Sequence, residues 1–347
     1  MKCPTLAELP PPPPGKTGWP WTDETAALSQ ARPDGSDWPR ISIVTPSYNQ
    51  GRFIEETIRS VLLQGYPDLE YIITDGGSQD QSIEIIQKYE HWLSYWISER
   101  DRGQSHAINK GFNRSTGVIL GWLNSDDVLL PGALATVAAF LPRPNEPVLI
   151  AGRAEIRDVS VARTIWVFDR IPQTFSDTFS LEAYFPQPSV FFTRKALTLA
   201  GFLREDLHYS MDFELWLRMM TRHVSVALIE QHLSWMRQHE DAKTFPGNAL
   251  PGLEEGERVL QSYSRFVSAE IAKRTFAISH WRQSRAWIAR GLSFVAGGDQ
   301  RNAWVAAYRA ARVHLRTIGS RAWMGLVLRL ILPKPVRRLV FDAHAGD

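Results

Sequence analysis

Val118-Ile119-Leu120-Gly121-Trp122-Leu123-Asn124-Ser125-Asp126-Asp127 runs an apolar segment straight into two adjacent acids. The apolar part reads as a short buried strand, which puts Asn124 to Asp127 at its C-terminal end. In a parallel sheet, loops at that edge face the ligand crevice. Two carboxylates side by side repel, and a cation or an array of donors relieves the repulsion. The same residues also allow a plainer reading, in which Asp126 or Asp127 caps a helix beginning near Pro131.

Upstream of this stretch, strand and helix signals alternate. Ile41-Ser42-Ile43-Val44 is a β-rich run that ends in the turn-prone Thr45-Pro46-Ser47-Tyr48-Asn49-Gln50-Gly51. Ile54, Ile58, Val61 and Leu62 then fall on one helix face. Tyr71-Ile72-Ile73-Thr74 is a second strand, followed by Asp75-Gly76-Gly77-Ser78-Gln79-Asp80 and a helix marked by Ile83 and Ile86. Tyr95-Trp96-Ile97 is a third strand, and Ala107, Ile108 and Phe112 mark the helix that leads into the fourth, Val118 to Leu123. A helix from about Pro131 to Leu141 follows, and Val148-Leu149-Ile150 closes the series. This alternation predicts right-handed crossovers and an α/β domain with a mainly parallel sheet flanked by helices.

In that topology the loops after the first, second and fourth strands share one edge and form one crevice, suited to a nucleotide. Tyr48 offers a stacking plane for a base and Asn49 a hydrogen-bonding amide. Asp75 could accept from a base N–H or a ribose hydroxyl, although Asp75-Gly76-Gly77 also reads as an ordinary turn. No Gly-x-Gly-x-x-Gly follows the first strand, which excludes the usual dinucleotide dehydrogenase pattern.

The 347 residues divide by composition into a Pro-rich extension at 1–38, an α/β region at 39–249 and a helical region at 250–347. The extension, with Pro10 to Pro14 and Trp19-Pro20-Trp21, is expected to drape over the α/β domain through its tryptophans. Gly15-Lys16-Thr17 has Pro10 where a phosphate loop needs glycine, so it reads as linker. The net charge of +2 hides an asymmetry: 16 Lys/Arg stand against 4 Asp/Glu from Arg258 onward, while the rest of the chain is acidic. After about Leu250 an Ala-rich helix pair breaks at Gly297-Gly298-Asp299, like one tetratricopeptide-type hairpin. Trp323 to Leu332, followed by Lys334, Arg337 and Arg338, either lies in a membrane surface or packs on its own domain.

Cys3 is the only cysteine, so no internal disulfide forms. The first residues lack the apolar stretch of a signal peptide, and no run of about 18 apolar residues exists to span a bilayer. The expected compartment is the cytoplasm, with the basic C-terminal region on the inner face of the membrane. That region carries no nucleic-acid motif, and no nucleic acid is expected as a partner. His208, His223 and His232 match no zinc-ligand spacing.

Ile43-Val44-Thr45-Pro46-Ser47-Tyr48-Asn49, Asp75-Gly76-Gly77-Ser78-Gln79-Asp80 and Asn124-Ser125-Asp126-Asp127 together resemble the nucleotide-sugar motifs of family 2 glycosyltransferases with the GT-A fold. Asp101-Arg102-Gly103-Gln104 with Ala107-Ile108-Asn109-Lys110-Gly111 is similar to a further block of that family, as is Met211-Asp212-Phe213-Glu214-Leu215-Trp216-Leu217-Arg218. The resemblance covers roughly residues 40–245. It implies a Rossmann-like GT-A domain, here followed by an all-helical region. It implies that Thr45, Pro46, Tyr48, Asn49, Asp75, Arg102, Gln104, Asn124, Ser125 and Lys243 bind a UDP, GDP or dTDP sugar. It implies Mg²⁺ or Mn²⁺ on Asp126, Asp127 and His239, and Asp212 as the base of an inverting transfer to a glycan or lipid-linked acceptor. The chain departs from the family at Gly76, Asn124 and Met211, where Asp, Asp and Glu are usual. A non-catalytic nucleotide-sugar or glycan binder is the alternative, and a nucleotidyltransferase would need a Gly-rich triphosphate loop near the N-terminus that this sequence lacks.

Overall fold

A computed structural model describes residues 2–140, 146–158, 163–243 and 249–332. The chain forms two compact units, one ending at His239 and one beginning at Glu240. Elements of the first unit run β1 (Ile41–Ser47), α1 (Ile54–Leu62), β2 (Leu69–Asp75), α2 (Ser82–Tyr89), β3 (Tyr95–Ser98), α3 (Gln104–Arg114), β4 (Ile119–Trp122), β5 (Val128–Leu129) and α4 (Ala133–Ala139). They continue with β6 (Val148–Asp158), β7 (Arg163–Phe168), α5 (Phe175–Phe179), β8 (Val190–Thr193), α6 (Arg194–Ala200), α7 (Met211–Thr221) and β9 (Ser225–Gln238).

The sheet order is β3-β2-β1-β4-β8-β6-β9-β5, with β7 beside β6. β3, β2, β1 and β4 are mutually parallel, as the alternating pattern predicts. β1 is buried along its whole length because it lies between β2 and β4 with helices on both faces. Ile54, Ile58, Val61 and Leu62 of α1 are fully buried in the core beneath it. Burial of each such side chain is worth about 1.5–3 kcal/mol.

The sheet does not close at Ile150. Val148 begins an eleven-residue strand that pairs antiparallel with β8 and parallel with β9. β8 is the Phe191-Phe192 segment, fully inside the core, and it joins β4 antiparallel. The helix expected from Pro131 starts later: Gly132, at φ +74°, is its N-cap, and no side chain caps it. Neither Asp126 nor Asp127 is therefore its cap. Leu141, the expected far end, lies outside the described residues.

The N-terminal extension belongs to the first unit. Cys3, Leu9 and Trp21 are buried, and the Trp19 indole N–H donates to Leu129 O at 2.7 Å. Arg59 of α1, fully buried, donates to the carbonyls of Pro10, Pro20 and Trp21 and to the Tyr89 hydroxyl. A guanidinium in the core is tolerated because its donors are matched by fixed acceptors.

The second unit consists of α8 (Leu250–Tyr263), α9 (Ala269–Ala296), α10 (Gln300–Val313) and α11 (Arg321–Ile331). α9 ends at Gly297, and the Asp299 carboxylate caps α10 by accepting from Asn302 N, so the break falls where the sequence puts it. Leu326 and Leu330 of α11 pack among Trp287, Ile288 and the alanines of α10. The terminal helix docks on its own unit, with Met324, Leu328 and Ile331 left exposed. Lys334, Arg337 and Arg338 lie outside the described residues. Among the described residues, no helix is long and apolar enough to cross a membrane.

Candidate active site

The register of two strands brings the acids and the histidine together. β5 runs antiparallel to β9, with Val128 opposite Trp235 and Leu129 opposite Ser234. Carried two residues further, that pairing sets Arg237 beside Asp126 and lets the following turn deliver His239. The His239 Nε2 lies 3.0 Å from Asp126 Oδ2, and the imidazole packs on Phe53 with ring centroids 4.6 Å apart. His239 Nδ1 is buried and has no hydrogen-bond partner among the described residues.

Asp126 and Asp127 point different ways. Asp126 keeps Oδ1 outside any hydrogen bond among the described residues, and its side chain is about one-fifth exposed. Asp127 is turned inward, where it accepts from Arg237 N at 3.3 Å and from Asn124 Nδ2 at 3.2 Å. Burial, and then the neighbouring charge of Asp126, push the Asp127 carboxyl well above the usual carboxylate range. Asn124 is a hub: its Oδ1 accepts from Gln104 Nε2 at 2.7 Å, and its Nδ2 also donates to Gln187 Oε1 at 3.0 Å. An aspartate at 124 would have no donor to offer Asp127. Ser125 is buried in the same turn.

Arg237 escaped the sequence reading. Its Nε donates to Asp126 O at 3.0 Å and its Nη2 to Glu56 Oε2 at 3.0 Å, and it lies between the Phe53 and Trp235 rings. Gln187 was missed too: its Nε2 donates to Trp122 O at 2.8 Å, tying the β4 end to the segment before β8. Both are polar residues with unremarkable neighbours in sequence, and only contacts to distant elements reveal their role.

In the turn after β1, Tyr48 is 60% exposed and presents its ring to solvent. Asn49 adopts φ +52°, donates its N–H to Ser78 Oγ and accepts from Gln79 N, so it clamps the first loop to the second. Asparagine tolerates that left-handed backbone better than most residues. Thr45 and Pro46 are buried within β1, the Thr45 hydroxyl bonded to the Tyr71 hydroxyl at 3.0 Å. Asp75 commits its carboxylate to its own loop: Oδ2 accepts from Gly77 N, Ser78 N and Ser98 Oγ, and Oδ1 from Ser78 Oγ. Arg102 is exposed and paired with Glu205. Lys243 falls in the second unit.

Asp212 is the second residue of α7, and its Oδ1 accepts from Phe213 N. Trp216, one turn on and on the same helix face, stacks on Trp122 at the end of β4 with centroids 5.3 Å apart. The packing of α7 is thereby fixed against the strand that carries the acidic turn. Glu214 is buried and engaged by Arg218, which separates it from Asp212 in function. Phe191 and Phe192 of β8 are in the core.

Among the described residues, no three His, Cys, Asp or Glu side chains form a ready-made metal cluster. A pair, Asp126 with His239, is what the turn offers. A catalytic divalent ion that shares its coordination with substrate phosphates needs only one or two protein carboxylates.

A parallel β3-β2-β1-β4 core with an acidic turn at its C-terminal edge defines a GT-A glycosyltransferase domain. The Glycosyl transferase family 2 profile matches residues 42–196. An uncharacterised glycosyltransferase of Rickettsia typhi is 26% identical over 286 residues, covering 79% of this chain and 84% of that one. Escherichia coli chondroitin synthase is 27% identical over 194 residues, 52% of this chain and 26% of that one. The mannosyltransferase PcManGT of Pyrobaculum calidifontis, solved with GDP-Man and Mn²⁺, superposes with a TM-score of 0.54 at 18% identity over 90% of each chain, a likeness of fold. Residues 42–196 thus match glycosyltransferase family 2, and the matched relatives are glycosyltransferases, which supports an enzyme of that type.

Proposed function

We propose that this glycosyltransferase moves a sugar from a nucleoside-diphosphate donor to a glycan or lipid-linked acceptor in polysaccharide biosynthesis, with inversion at the anomeric carbon. The observation that carries this reading is the Asp126–His239 pair at the C-terminal edge of β4, with Asp126 Oδ1 accepting no hydrogen bond among the described residues. Asp126 Oδ1, with His239 Nε2 once it exchanges its Asp126 partner for the ion, would fit Mg²⁺ or Mn²⁺ as an oxygen and an imidazole nitrogen together with donor phosphate oxygens; Asp127, held inward, would not join them. Bound there, the ion would offset the negative charge that develops on the departing diphosphate. Tyr48 would stack on the base. Asp212 would accept the proton of the acceptor hydroxyl as it attacks opposite the leaving group. The basic second unit would hold the enzyme on an anionic membrane surface, where a lipid-linked acceptor is presented.

The test is turnover with UDP-, GDP- and dTDP-sugars in Mn²⁺, with release of the nucleoside diphosphate as readout. Asp212→Asn should lower kcat by about 10²–10⁴ and leave the nucleoside-diphosphate Kd unchanged. Full turnover by Asp212→Asn would remove the base assignment.

A further inference from the structure

We propose that Asp101 selects the donor's base, by accepting a ring N–H with the carboxylate oxygen that its own loop leaves over. The inference rests on the nucleotide-sugar reading above.

β3 pairs with β2 so that Ser98 lies opposite Asp75. The chain leaving β3 therefore runs beside the Asp75-Gly76-Gly77 turn, and Glu99 N donates to Asp75 O at 3.0 Å. Asp101 folds back over that turn. Its Oδ1 is anchored by Gly103 N at 2.8 Å, and Oδ2 accepts no hydrogen bond among the described residues. Oδ2 occupies the room a side chain at 76 would take: a Cβ on Gly76 would lie 2.7 Å from it and 3.3 Å from Tyr48 Cδ2. The free carboxylate oxygen and the exposed tyrosine ring thus converge on one spot at the crevice rim. Asp75, whose acid would otherwise be the obvious acceptor, is consumed by four donors.

A ring face beside a fixed anionic acceptor at the middle of the pairing edge suits a base that stacks and offers a ring N–H there, which the exocyclic amines of cytosine and adenine do not supply. Uracil and thymine have N3–H, and guanine has N1–H and N2–H. Cytosine N3 and adenine N1 are acceptors and would face the carboxylate lone pair to lone pair. Glycine at 76 is what lets Asp101 reach this place.

Equilibrium binding of UDP, dTDP, GDP, CDP and ADP to the full chain tests the idea. The unaltered protein should prefer one of the first three over CDP and ADP by about tenfold or more, the range of a hydrogen bond to a charged group. Asp101→Ala should erase that preference while CDP affinity moves less than about twofold, which also shows that the variant is folded. Gly76→Asp added to Asp101→Ala should restore the preference, because the carboxylate then enters the same space from the other side. Retention of the preference by Asp101→Ala, or an equal loss for all five ligands, would overturn the proposal while leaving the donor reading intact. Failure of the unaltered chain to bind any of the five would overturn both.

Discussion

Asn124 shows how a single substitution within a shared motif can be a structural requirement. With Asp127 buried and reached by few donors, an amide at 124 supplies one that a carboxylate cannot. Asn124→Asp, which restores the residue usual in the family, should therefore destabilise this chain by about 1–3 kcal/mol. The first unit's melting temperature should fall by about 2–4 °C for each kcal/mol, and an unchanged or raised Tm would contradict it. At this scale the sequence is legible only in part. Asp126, His239 and Asp212 stand out because the chemistry needs their types in those motifs. Arg237 does not, because its burial depends on Glu56 and the Asp126 carbonyl, 181 and 111 residues away. Nor does the division of labour between Asp126 and Asp127, since which carboxylate turns inward is set by the β5–β9 register.

Among the elements, the parallel core was readable because β1, β2 and β4 are short apolar runs closed by polar turns. β9 was not: Glu230-Gln231-His232 interrupts its apolar pattern, and the register shift at Gly152 to Ala154 accommodates the irregularity. β7 exposes most of its residues, so it carries no burial pattern at all. The N-terminal extension is the element whose attachment is most open to test. Arg59 holds it through three carbonyls, and Cys3, near its start, is buried with its thiol pushed up to about 12 by burial. At pH 8 that thiol stays protonated and covered, so a thiol reagent reacts only as the extension lifts. Arg59→Ala, at a cost on the order of 3 kcal/mol, should speed Cys3 labelling by at least about tenfold in native buffer. Equal rates in the two proteins would show that the extension is held by other contacts.

For the whole molecule, charge is the property that spans both units. The acidic majority and the basic end have different surroundings in view, and the second unit has a cavity lined by Lys273, Arg274, Arg312 and Arg316 against one acid, Glu270. Binding of the full chain to vesicles containing phosphatidylglycerol should be lost in high salt, since exposed charges are screened within a Debye length. Arg312→Glu with Arg316→Glu should weaken it more than about tenfold, at roughly 1 kcal/mol per basic residue near an anionic surface. Turnover on a soluble acceptor should not change. Salt-independent binding would point instead to the exposed Met324, Leu328 and Ile331.

The direct measure of the donor site is calorimetric titration of the nucleoside diphosphate that binds, with and without Mn²⁺, on the unaltered chain and on Asp126→Ala. If Asp126 and His239 hold a metal against the diphosphate, Mn²⁺ should tighten binding by about tenfold or more in the unaltered protein and by nothing in the variant. Affinity indifferent to Mn²⁺, or a Mn²⁺ effect that survives Asp126→Ala, would contradict the account.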